Sequence, residues 1–248
     1  MSGHSKWSSI KHKKALVDAK RGKMFTKVIR EITVAARTGG GDEVTNPRLR
    51  VAIQSAKSVN MPSDNIERAI KKGTGTLEGV TYEEIVYEGY GPAGVAIYVQ
   101  CLTDNKNRTA GEIRSLFSKR GGNMAGQGSV AWIFEKKGLA VVEQNKIAED
   151  KLMEIVINAG AEDLSRSDDK FEILTDPNDL EAVKKALENK SVPYESAVLQ
   201  MIPKNLVAVD PSQARSIINL IDALEDHDDV QNVYANCDIP EEVMKELS

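Results

Sequence analysis

The sequence predicts an α+β protein of three domains: an N-terminal three-helix domain followed by two split βαβ-like α/β sandwich domains, one inserted in the other. Three observations carry this expectation. The apolar spacing is helical up to the glycine-rich segment GTGTLEG at Gly73–Gly79 and strand-like beyond it, which puts a boundary there. Residues 173–203 and 207–240 share one plan of strand, Asp-Pro, helix, Ala-Leu-Glu, turn, strand, Ile-Pro. Finally, a module that starts near Val80 lacks its last helix and strand, while Leu206–Asp238 lacks a front half. Joining the two gives domains of residues 1–79, 80–134 plus 204–248, and an inserted 135–203.

Each element has a local reason. Residues 1–14, MSGHSKWSSIKHKK, carry almost no apolar periodicity and read as an extended basic arm. From about Leu16 the residues Phe25, Val28, Ile29, Ile32, Ala35 and Ala36 recur at helical spacing, and Gly39–Asp42 stops that helix. A second helix has Asn46 as N-cap and Pro47 at its first position, with Leu49, Ala52, Ile53 and Ala56 on one face. A third begins at Pro62–Asp64, where Asp64 and Glu67 have capping-box spacing, and ends at Lys71-Lys72-Gly73. Residues 84–103 predict two strands around a turn at Gly89–Gly94. A helix follows with a capping box at Thr109 and Glu112 and an apolar face of Ile113, Leu116 and Phe117; a strand is expected at Val130–Phe134. The inserted domain opens with a strand at Leu139–Val142 and a helix through Leu152, Ile155, Val156 and Ala159. In both later copies the aspartate of Asp-Pro, Asp176 and Asp210, reads as an N-cap.

Charge is unevenly placed. The formal net charge is -4, but the first 72 residues hold 16 Lys and Arg against 6 Asp and Glu, and the rest 17 against 31. Such asymmetry points to a polyanionic partner, because a basic surface displaces counterions condensed on nucleic acid. Over the first 37 residues ten cations oppose only Asp18 and Glu31. The candidate binding residues are therefore Lys6, Trp7, Lys11, His12, Lys13, Lys14, Lys20, Arg21, Lys23, Lys27 and Arg30. Lysine outnumbers arginine among them, which favours point-charge contact to phosphate over bidentate reading of bases. Trp7 either stacks on a base or packs against the bundle. A second candidate patch is Asn105, Asn107 and Arg108 at a strand-to-helix junction, where asparagines also serve as caps.

Other chemistries find little support. The three histidines, His4, His12 and His227, have no nearby nucleophile in a rigid element, so no catalytic residue is assigned and no enzyme activity is expected. The acidic groups at Glu162–Asp169 and Glu225–Asp229 read as solvated turns and not as a metal site. GTGTLEG follows a helix and has no Lys-Ser/Thr ending, so no cofactor is expected. Two distant cysteines, Cys101 and Cys237, and the absence of a long apolar run suggest a soluble, cytoplasmic protein with no membrane partner.

Several segments in their order resemble the YebC/PmpR family of bacterial regulators, whose organellar relatives include a mitochondrial translational activator of a cytochrome oxidase subunit. They are GHSKW at Gly3–Trp7, IKHKK at Ile10–Lys14, DAKRGKMFTKVIREI at Asp18–Ile32, NPRLR at Asn46–Arg50, NMPSDNIERAIKKG at Asn60–Gly73, YEGYGPAG at Tyr87–Gly94 and DNKNRTAGEIR at Asp104–Arg114. The resemblance implies three domains and nucleic-acid binding without enzyme activity. It implies either a DNA-binding transcriptional regulator or a ribosome-associated translation factor that binds ribosomal RNA and relieves stalling. It also carries the basic arm onto Lys6, Lys11, Lys13, Lys14, Lys20, Arg21, Lys23 and Lys27. Ser2 stands where alanine is common in the family. The acidic domains would then meet the ribosome or another protein partner, or orient the chain on its target.

Overall fold

A computed structural model of the chain describes residues 18–167, 169–240 and 243. Helix α1 spans Asp18–Gly39, α2 Pro47–Ser58 and α3 Ser63–Gly73. They close on a core of Ile32, Ala35, Ala36, Leu49, Ala52, Ile53, Ala56, Met61, Ile66 and Ala69, the faces expected from their periodicity. Each large aliphatic side chain buried there contributes about 1.5–3 kcal/mol. Asn46 sits at the joint. Its Oδ1 accepts from Leu49 N at 3.1 Å to cap α2, and its Nδ2 donates to the carbonyls of Ala35 and Gly40, both at 2.8 Å, at the end of α1. The expected capping box of α3 does not form. Its N-cap is Pro62, without a side-chain hydrogen bond, and Asp64 lies in the first turn, where its charge suits the helix dipole.

The first sheet has the order β3-β1-β2-β9, with all pairs antiparallel. Strands β1 (Glu83–Tyr90) and β2 (Ala96–Thr103) are joined through a short 3-10 turn at Pro92–Gly94. Helix α4 (Lys106–Lys119) leads to β3 (Asn123–Ala125), and α7 (Pro211–Glu225) leads to β9 (Val230–Ala235). Both helices bury apolar faces: Ile113 and Phe117 on α4; Ile217, Leu220, Ile221 and Leu224 on α7. The second sheet has the order β5-β6-β4-β7, built from β4 (Phe134–Glu143), β5 (Ala161–Ser167), β6 (Lys170–Thr175) and β7 (Ser196–Pro203). Helices α5 (Glu149–Ile157) and α6 (Leu180–Asn189) share its core of Ala140, Val142, Leu152, Val156, Phe171, Ile173, Val183 and Leu187. A separate parallel pair joins β8 (Val207–Ala208) to β10 (Cys237–Asp238). The chain is thus α+β, and the second sheet lies in sequence between the parts of the first. Among the described residues no helix is long and apolar enough to cross a membrane.

Four local expectations change. Val130–Phe134 is not a strand of the first sheet. The buried Glu88 carboxylate accepts the N–H groups of Gly128, Val130 and Ala131 at 2.6, 2.7 and 2.8 Å, which takes the first two donors of the segment out of any ladder, and the chain turns as a 3-10 helix at Ala131–Ile133. The third strand of the sheet is β3 instead. Helix α4 is capped by Asn105, whose side chain accepts from Arg108 N, and Thr109 turns inward. Asp210 does cap α7 through Ser212 N at 2.9 Å, but Asp176 holds a turn by accepting from Asn178 N, and α6 starts only after Asp179. In the second copy the leading strand is the two-residue β8, outside the four-stranded sheet.

Among the described residues, 18–131 with Asp210–Ala235 form one compact unit, and Trp132–Val209 with 236–240 and 243 form another. Within the first, α1 and α3 are in tight contact at Gly73. A Cβ there would stand 2.4 Å from the Thr33 carbonyl oxygen and 2.7 Å from the Ala36 Cβ. Backbone cannot yield as a side-chain tip can, so Gly73→Ala should destabilise the helical region by about 1–3 kcal/mol. Urea unfolding followed by circular dichroism measures it; an unchanged midpoint would exclude this close contact.

Candidate nucleic-acid interface

The basic stripe of α1 arises from spacing. Lys23, Lys27 and Arg30 stand four and three residues apart and so share a face. That face meets the C-terminal end of α7. Lys27 Nζ donates to the Glu225 carbonyl at 2.6 Å, Lys23 Nζ to the Asp226 carbonyl at 3.0 Å, and Arg30 to the Asp228 carbonyl at 2.9 Å. The Glu225 and Asp226 carbonyls lie at the negative end of the α7 dipole, where each cation contributes about 0.3–1 kcal/mol. Arg30 also donates to the Leu102 carbonyl at 3.0 Å and lies 5.2 Å from the centroid of the Tyr82 ring.

Asp229 is the centre of this contact. Its side chain is 2% exposed, and it pairs with Arg30, which is 12% exposed. Its other oxygen accepts from Thr109 Oγ1 at 2.5 Å, Arg108 at 2.8 Å and Thr103 Oγ1 at 3.2 Å. The Asp229 carbonyl accepts from Leu102 N at 2.8 Å, outside the regular ladder. Burial alone would oppose ionisation. The hydrogen bonds from Thr109, Arg108 and Arg30 outweigh it and hold the carboxyl well below the usual carboxylate range.

Glu112, His227 and Asp229 are the group of metal-ligating side chains that converge among the described residues. Their donor atoms are already engaged. The Asp229 oxygens face two guanidinium groups and two hydroxyls. His227 Nδ1 accepts the Asp229 N–H at 3.1 Å, so Nε2 carries the proton toward Glu112 at 2.8 Å. Two guanidinium groups supply the positive charge that a cation would bring.

The candidate residues read from the sequence therefore divide. Lys6, Trp7, Lys11, His12, Lys13 and Lys14 lie outside the described residues, as do the side chains of Lys20 and Arg21 at the start of α1. Lys23, Lys27 and Arg30 are engaged within the molecule. Asn105 is a cap, Arg108 is divided between Asp229 and Asp104 at 2.8 Å each, and Asn107 is exposed. Sequence reasoning missed Asp229, taken with its neighbours as a solvated turn; Asp226 and Asp228 are exposed, but Asp229 is buried. It missed Thr103 and Tyr82 as well. No local signal marks them, since their partners lie in other elements.

Model-based comparison matches residues 5–76 to a family described as the TACO1/YebC protein N-terminal domain, and residues 82–237 to the TACO1/YebC second and third domain. A probable transcriptional regulatory protein of Desulforapulum autotrophicum is 59% identical over 243 residues, covering 98% of each chain. One of the same description from Geobacter sulfurreducens is 58% identical over 247 residues, covering 100% of each. The crystal structure of a conserved hypothetical protein from Aquifex aeolicus superposes with a TM-score of 0.82 at 50% identity, covering 92% of this chain and 94% of that one.

Replacing Asp229 by Asn removes one partner of a buried pair and turns an amide N–H toward existing donors, which should cost about 3 kcal/mol. The folded-state value of Asp229 is depressed. Its contribution is therefore complete above the ordinary aspartate value of about 3.9 and is lost as pH falls through the lower folded value. Urea unfolding should show a constant gap between parent and Asp229→Asn from pH 8 to pH 5, closing only in stronger acid. A gap that closes between pH 8 and 6 would contradict this assignment.

Proposed function

Since the chain belongs to the TACO1/YebC family, we propose that it is a regulator of transcription that binds the phosphate backbone of DNA through its N-terminal arm and the first turn of α1, with no enzymatic step. One observation carries the reading: ten cations against two carboxylates over residues 1–37. Lys23, Lys27, Arg30 and Arg37 donate to carbonyl or carboxylate oxygens of the same unit. Lys6, Lys11, Lys13, Lys14, Lys20 and Arg21 are left as the proposed phosphate contacts. The relatives named probable transcriptional regulatory proteins support the DNA target. In this arrangement the engaged cations fix the body of α1, and the residues before it meet the ligand. Contact is mainly to the backbone, so affinity exceeds sequence discrimination.

Six phosphate contacts give a log-affinity against log-salt slope of about -5.4 on duplex DNA. Changing Lys6, Lys11, Lys13, Lys14, Lys20 and Arg21 together to Gln should abolish most binding and flatten that slope. Changing Lys23 and Lys27 to Gln should instead lower the melting temperature and leave the slope within about one unit of the parent. Anisotropy titrations over a salt series measure both, and crosslinking in cells followed by sequencing identifies the attached nucleic acid. Ribosomal RNA as the dominant crosslink, or undiminished affinity in the six-fold variant, would overturn this reading.

A further inference from the structure

Helix α4 carries three cations that the fold leaves unused. Arg114, Lys119 and Arg120 make no side-chain hydrogen bond or ion pair among the described residues, unlike Lys106 and Arg108 at the other end of the helix. Arg114 shares a strip with Asn107, Gly111 and Ser118, spaced by four, three and four residues. At about 100° per residue the four fall within roughly 60° of one another. All four are exposed. No carboxylate interrupts the strip. The helix's one acid, Glu112, lies to its side, 2.8 Å from His227 Nε2 and 3.9 Å from Arg108. Lys119 in the last turn lies about 80° round the axis from the strip's edge and Arg120 stands at the C-cap, so both flank the C-terminal end of the strip.

Gly111 is the second observation. It stands in the middle of α4, has no need of a positive φ, and a Cβ there would meet nothing within 4 Å. Packing within the molecule does not require it, in contrast to Gly73. A helix is weaker for an interior glycine. An object approaching the helix backbone from outside gives that weakness a purpose, and the cations around it fit a polyanion.

We propose that this strip of α4 is a second contact surface for the phosphate backbone of duplex DNA. Arg114, with Lys119 and Arg120 beside the strip's C-terminal end, meets phosphates, Asn107 hydrogen-bonds a backbone oxygen, and Gly111 lets one strand lie against the helix, while the Ser118 hydroxyl is engaged with the Arg114 carbonyl at 3.0 Å. From residue 107 to 118 the strip is about 17 Å long, the rise of roughly five nucleotides of one strand. The inference rests on the reading of the chain as a DNA-binding protein and makes that binding bivalent, so that arm and strip raise one another's effective concentration.

The test uses the full chain and a mixed-sequence duplex of 30 base pairs, titrated by anisotropy over a salt series. Arg114→Gln, Lys119→Gln and Arg120→Gln together should reduce the salt slope by about 2.7 and weaken binding roughly hundredfold at 0.1 M salt, with an unchanged melting temperature. Gly111→Ala should raise the melting temperature by about 2 °C. The same variant should weaken binding about fivefold, since moving a phosphate from about 4 to about 5.5 Å from its cation removes a quarter of their attraction. A parent that binds the duplex while the triple variant keeps the parental slope overturns the strip and leaves the arm reading standing. A parent that does not bind duplex DNA, or binds an RNA hairpin of the same sequence in its place, overturns both.

Discussion

A buried carboxylate must be neutralised where it lies, and in the first unit that requirement falls on Asp229. It draws Arg30 from α1, Arg108 and Thr109 from α4, and Thr103 from the end of β2, while its own carbonyl takes the N–H of Leu102. Three segments distant in sequence, α1, the β2–α4 junction and the turn before β9, are thus oriented around one group. Removing any one donor leaves the charge under-compensated, and the cost of an unpaired buried charge is what makes the arrangement specific. The helical region is held to the first sheet by this group and by the α7 carbonyls beside it, so α1 takes one direction relative to the sheet.

That arrangement changes the meaning of a basic helix. A carbonyl at a helix C-terminus and a phosphate oxygen make the same demand on an ammonium group, and α1 answers the first demand with Lys23 and Lys27. Only cations before them, or on other elements, remain available for a polyanion. The acidic character of the turn at Glu225–Asp229 is then partly an internal counterpart to α1 and partly solvated surface. The Glu88 carboxylate plays a comparable role at the opposite side of β1, collecting three backbone N–H groups of one loop.

Elements governed by neighbours in sequence were legible, and those governed by remote groups were not. Asn46-Pro47 and Asp210-Pro211 announce their helices because capping needs only the next two or three N–H groups. Asp176-Pro177 has the same letters, yet its aspartate is used by Asn178 in a turn. Thr109 and Glu112 have capping-box spacing, but a carboxylate 120 residues away offers Thr109 a better partner. The apolar run at Val130–Phe134 looks like a strand until Glu88 takes the N–H groups of Val130 and Ala131. Charge composition marks residues 1–37 as basic. It could not separate Lys23 and Lys27 from the lysines before them, because residue type carries no record of which oxygen it will meet.

The interleaved topology also sets an order on assembly. All four strands of the second sheet lie within residues 134–203, so that sheet can close as soon as this stretch has emerged during synthesis. The first sheet waits for β9 at Val230–Ala235, and Arg30 waits 199 residues for Asp229. Closing so long a loop is entropically slow and comes late. Until it closes, the exposed edge of β2 and the cations of α1 are both without their final partners. The second sheet is therefore complete before the first, and the nascent protein carries an open strand edge beside the cations of α1 until its last quarter appears.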